Sequence, residues 1–169
     1  MLQLSRIESV NFSQKFFIFH NMLFTLNQKP RDYNFLNLGS AMKHEKMMSA
    51  IKSAIENLEN SMKALVNRDE KASLNHVWHA SADTEYALFL FSIIIPQEES
   101  ESSSWKSSFH AKQMEIGSAL ALAQELLEEA TKKIEADELN EAYKKTWMAQ
   151  RYLLEAQQNF EKRRKTEGR

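Results

Sequence analysis

In the run LNHVWHASADTEYALF, His76, His79 and Asp83 are spaced by three and four residues. On a helix that spacing sets all three on one side, where two imidazoles and a carboxylate could ligate zinc or iron. A metal site needs three or more convergent donors, and any further ones would have to come from other helices. The last helical segment offers neither a His-x-x-x-His nor a Glu-x-x-His pair. The same residues therefore also read as a solvated helix face with His79 paired to Asp83. Glu85, two residues on, falls in an apolar stripe one heptad after Trp78. Inside a core its carboxyl would need a raised pKa or a partner such as arginine, tyrosine or histidine, and it would mark a pocket. A small rotation of the helix puts it at the edge of the stripe instead, and the edge is the expectation.

Other chemistries find little support. No phosphate-binding glycine loop, Gly-x-Ser-x-Gly elbow, His-Glu-x-x-His or dinucleotide fingerprint occurs, and only Gly39, Gly117 and Gly168 could let a backbone approach phosphate closely. The lack of cysteine removes disulfides, thiolate metal sites and cysteine nucleophiles, and it suits a reducing, cytoplasmic setting. Lys162, Arg163, Arg164 and Lys165 could touch phosphates, but cations at a helix C-terminus are also what the helix dipole favours. With a net charge of −1, nucleic acid is not an expected partner. No cofactor is implied, and catalysis is not expected.

The elements that must carry these residues are helices. Apolar residues recur at three-four spacing through Met47, Ile51, Ala54, Leu58, Met62 and Leu65, which predicts a first helix. Asn67 and Glu70 read as an N-cap and capping-box partner for a second, with the stripe Leu74, Val77, Trp78, Ser81, Glu85, Leu88 and Phe91 ended by Pro96. A polar connection QEESESSS leads to a third stripe, Ile116, Ala119, Leu120, Ala123, Leu126, Leu127, Ala130 and Ile134. Asp137 is the expected cap of a fourth helix through Tyr143, Trp147, Leu153, Leu154 and Phe160. Trp78 and Trp147 read as core anchors.

Shifted by 69 positions, the chain falls on itself: Ser49 on Ser118, Ala54 on Ala123, Leu58 on Leu127, Trp78 on Trp147 and Phe91 on Phe160. The expectation is an all-α fold of two long antiparallel hairpins, 42–95 and 105–165, related by internal duplication and packed as a four-helix bundle over 42–169. Residues 1–41 form a separate aromatic extension. They hold 7 of the 17 aromatic residues but only 6 of the 45 charged ones, so this stretch is either a docking segment or an early translation start. Its apolar run Phe16–Leu26 is too short and too polar to span a membrane, and no membrane partner is expected. The end of the second helix, Tyr86–Ile95, is apolar nearly all round, so either a second subunit or the chain's own segment Phe16–Phe35, which would leave a monomer, must cover Phe89, Phe91, Ile93, Ile94 and Ile95. The functional expectation is a scaffold or regulatory homo-oligomer, a dimer or tetramer, acting through protein contacts. The alternatives are a metal- or carboxylate-dependent enzyme using the second helix, or nucleic-acid binding by the basic C-terminus.

Overall fold

The computed structural model describes residues 39–95, 105–107, 109, 111 and 114–167, and every regular element among them is helical. In chain order these are α1 (Ser40–Val66), α2 (Glu70–Ile94), α3 (Ile116–Glu135) and α4 (Leu139–Glu167). α1 lies along α2 and α3 along α4, and the two hairpins meet through α2 on α4 and α1 on α3. The expected bundle of two hairpins is the architecture found. The described residues make one compact unit. The aromatic run Phe16–Leu26 and the connection QEESESSS lie outside the described residues.

The apolar stripes decide how the helices sit. α3 buries Ile116, Ala119, Leu120, Ala123, Leu126, Leu127, Ala130 and Ile134, the residues its periodicity selects. α1 buries Met47, Ile51, Ala54 and Leu58 in the same manner, although it starts at Ser40, before the first residue of the stripe. Phe91 and Phe160, 69 positions apart, are both fully buried. At the end of α2, Ile95 turns extended, the conformation that a following proline imposes on its neighbour.

Both hairpin turns have one geometry. In the first, the Arg68 N–H donates to the Leu65 carbonyl at 3.1 Å and the Asp69 N–H to the Ala64 carbonyl at 2.9 Å. In the second, Asp137 donates to Ile134 at 3.0 Å and Glu138 to Lys133 at 2.8 Å, the same bonds 69 residues later. These are Schellman closures, which satisfy helix-end carbonyls by placing one residue in the left-handed region. That residue is Arg68 (φ 60°) and then Asp137 (φ 59°), neither a glycine. The capping expectations shift accordingly. Asn67 ends α1 instead of starting α2, and the N-cap of α2 is Asp69, which accepts from the Ala72 N–H at 2.9 Å. Asp137 is the left-handed turn residue and not the cap of α4. The Schellman bonds claim the backbone at both positions, which outweighs the side-chain preference for capping.

Like the other helices, α2 has two packing edges. Ser73, His76 and Asp83 bond to α1, whereas Ser81, Glu85 and Phe91 touch α4. Its buried residues are mostly small or polar: Ser73, Val77, Ala80, Ser81, Thr84 and Ala87, followed by Leu90 and Phe91. A helix in contact with two neighbours at once must bury a wide arc, and small side chains let both neighbours approach. The arc is centred away from the expected stripe, so Trp78 is not a core anchor; it is 42% exposed. Its repeat equivalent Trp147 is half-buried, edge-on to Trp105 at 5.1 Å and Phe109 at 5.7 Å.

A non-glycine residue in the left-handed conformation costs roughly 1 kcal/mol. Arg68→Gly and Asp137→Gly are each expected to raise the urea midpoint, by up to about 1 kcal/mol of stability. Asp69→Ala is expected to lower it by about 1 kcal/mol through loss of the cap.

Candidate functional site

The candidate metal ligands lie on α2 but answer to different neighbours. Asp83 Oδ2 accepts from Ser53 Oγ at 2.7 Å and from Asn57 Nδ2 at 3.3 Å, both on α1. His76 Nδ1 lies 3.3 Å from Asn57 Oδ1, so Asn57 links the imidazole to the carboxylate through one amide. His79 is exposed, and Asp83 takes its donors from α1 and not from His79. Among the described residues, no three His, Cys, Asp or Glu side chains stand together as a metal would need. The arrangement ties α1 to α2 by hydrogen bonds, with Asp83 supplying the charge that strengthens them.

Glu85 occupies the opposite edge of α2. Gln150 Nε2, on α4, donates to Glu85 Oε1 at 2.8 Å and to Ser81 Oγ at 2.9 Å. Glu85 is therefore in the joint between the hairpins, half-buried, and its chief partner is an amide. Burial pushes its carboxyl up from the ordinary 4.5 to about 7, because removing a carboxylate from water penalises the charged form. Ser81 and Gln150 are 69 positions apart, so equivalent points of the two hairpins touch each other here. The repeat equivalent of Glu85 is Leu154, which is buried.

The interior of the bundle holds more polarity than the stripes foretell. Ser61, Ser73, Ser81, Thr84, Thr146, Gln150 and Gln157 are all buried. The threonines are satisfied within their own helices, Thr84 Oγ1 donating to the Ala80 carbonyl at 2.7 Å and Thr146 Oγ1 to that of Ala142 at 2.8 Å, while Ser61 Oγ crosses to the Ser73 carbonyl at 3.0 Å. The glutamines are not fully satisfied. Gln150 Oε1 and both amide atoms of Gln157 are buried without a hydrogen-bond partner. Sequence reasoning passed over both, yet they share a signal: each falls at helical spacing among Leu153, Ala156 and Phe160, as Glu85 does on α2.

The apolar end of α2 divides by face. Phe91 is fully buried, its ring 5.9 Å from that of Tyr143, so this chain's own core takes it. Phe89, Ile93, Ile94 and Ile95 are half-buried. Helical spacing puts Phe89 and Ile93 with Trp78, Ala82 and Tyr86 on the side of α2 turned away from the core, and Tyr86 is 40% exposed. The sequence stripe missed Trp78 and Tyr86 as surface residues because it assigned α2 one apolar face where there are two.

Of the basic C-terminal residues, Arg163 is engaged: Nη1 lies 3.2 Å from Glu70 and Nη2 3.7 Å from Glu115. These three residues line an open cleft at one end of the bundle with Leu65, Arg68, Ile116, Gly117 and Ser118, where two arginines face two glutamates. Comparison with protein families, with curated proteins and with solved structures finds no match for this chain.

A buried amide without partners costs roughly 1–3 kcal/mol relative to an apolar group of the same shape. Gln157→Met is therefore expected to raise the thermal midpoint. A lowered midpoint would mean that the amide has a partner in solution, such as an ordered water.

Proposed function

We propose that the protein works through protein contacts, as a homo-oligomeric scaffold or regulatory bundle without chemistry of its own. The observation behind this reading is the outward face of α2. Trp78 and Tyr86 are 42% and 40% exposed, and Ala82, Phe89 and Ile93 extend the same face. Large aromatic side chains held at the surface of a rigid helix are what well-packed interfaces use as anchors. The helix is held from behind by two neighbours, so the face is presented in fixed geometry and binding demands little ordering. A second copy of the chain is the proposed occupant, since a face that is apolar along its length matches itself across a twofold axis. Among the described residues no helix is long and apolar enough to cross a membrane. The absence of cysteine suits the cytoplasm as the place where it acts.

Light scattering behind a sizing column tests the reading on the full chain. The expected solution mass is a multiple of 19.7 kDa, reduced to a single chain by the double substitution Trp78→Glu, Tyr86→Glu with helicity retained. A wild-type mass of one chain, or an oligomer unmoved by the double substitution, overturns it.

A further inference from the structure

The joint between the hairpins contains an amide and a carboxyl that fit each other in only one protonation state. Gln150 uses its Nε2 to donate to Glu85 Oε1 and Ser81 Oγ, and its Oε1 is buried with no donor. A carboxylate has no hydrogen to offer that oxygen, whereas a carboxylic acid has one. We infer that Glu85 is held as the neutral acid and that its hydroxyl donates to Gln150 Oε1, closing a paired acid–amide bridge between α2 and α4. The bridge then has two bonds in opposite directions: amide N–H to carboxyl oxygen, and carboxyl O–H to amide oxygen. It satisfies the orphaned oxygen and places no charge in the joint, which removes both costs of burying these groups.

The surroundings favour the acid. Among the described residues, burial alone moves the titration of Glu85, with no neighbouring charge contributing. On α1, Ser53 and Asn57 are committed to Asp83, the nearest carboxylate along α2. On α4, the charged neighbour of Gln150 in sequence is Arg151, whose guanidinium lies over the Trp147 ring at 5.7 Å. Leu154, one turn beyond Gln150, is buried and apolar. Ionisation sends the proton to bulk water, strands the amide oxygen again and leaves a carboxylate facing it. The bridge is therefore a proton-dependent latch between the two hairpins. Glu85 titrates higher in the folded protein than in the unfolded chain, so the stabilisation is complete below the unfolded carboxyl pKa and is lost as pH rises through about 7.

The experiment follows the side-chain carbonyl carbons of Glu85 and Gln150 by NMR in the full chain, with urea midpoints measured in parallel from about pH 5 to about pH 9. The two carbons are expected to titrate together, with a shared midpoint near neutrality, and the urea midpoint to fall as pH rises toward about 7 and to level off above it. Glu85→Gln keeps both hydrogen bonds through its own amide and has no proton to lose. Its urea midpoint is expected to stay level across neutrality and to exceed that of the wild type at the alkaline end. Three results would each overturn the inference: Glu85 titrating in the ordinary carboxylate range, a Gln150 carbon that does not move with Glu85, or a decline in Glu85→Gln equal to that of the wild type.

Discussion

Neither hairpin can bury its inner face alone, and α2 is the helix on which this constraint falls hardest. It must face α1 along one edge and α4 along the other, so its inner arc is wide and is filled with Ser73, Val77, Ala80, Ser81, Thr84 and Ala87. Small residues bring three helices close together, but they bury little apolar surface. Apart from Leu90 and Phe91, which are buried near its end, the larger apolar side chains of α2 are left at the margins or outside: Leu74 and Leu88 half-buried, Trp78 and Tyr86 exposed. The polar seam and the aromatic outer face are thus two results of one packing requirement.

The seam also explains why hydrogen bonds, and not shape alone, fix the register of the bundle. Along α1 and α2 the register is set by Ser61 on Ser73, by Asn57 on His76, and by Ser53 and Asn57 on Asp83. Between the hairpins it is set by Gln150 on Ser81 and Glu85. Sliding α2 past either neighbour would strand several buried polar groups at once, each costing about 1–3 kcal/mol. Polar contacts of this kind select one arrangement from the many that small apolar surfaces would tolerate.

Much of this was legible in the sequence, and the failures have physical causes. α3 buries one apolar stripe, and its periodicity named its buried residues correctly. α2 turns small and polar residues inward, so a single-stripe reading mistook Trp78 for a core residue and set Glu85 at an edge where the partner is another helix. The turn residues were misassigned because Asn67 and Asp137 have side chains suited to capping, while the backbone closure that uses those positions depends on hairpin geometry. His76 and Asp83 were picked out by spacing, and they do lie on one edge. What spacing could not supply was Asn57, nineteen residues before His76, which draws both toward α1. The glutamines of α4 were visible as polar residues among leucines, but nothing in one sequence says which of two glutamines will meet a carboxyl.

The two turns superpose bond for bond over 69 residues, yet the three positions of each, Asn67, Arg68 and Asp69 against Ala136, Asp137 and Glu138, share no identity. The joint shows the converse, since its equivalent positions meet but are chemically unequal: Ser81 against Gln150, with Glu85 on one side and Leu154 on the other. The halves match in backbone and differ where α2 meets α4. A chain made by writing the second hairpin twice would keep the turns, the stripes and the crossing. It would set glutamine against glutamine and leucine in place of the acid, and so assemble into the same shape with nothing in its joint for a proton to act on.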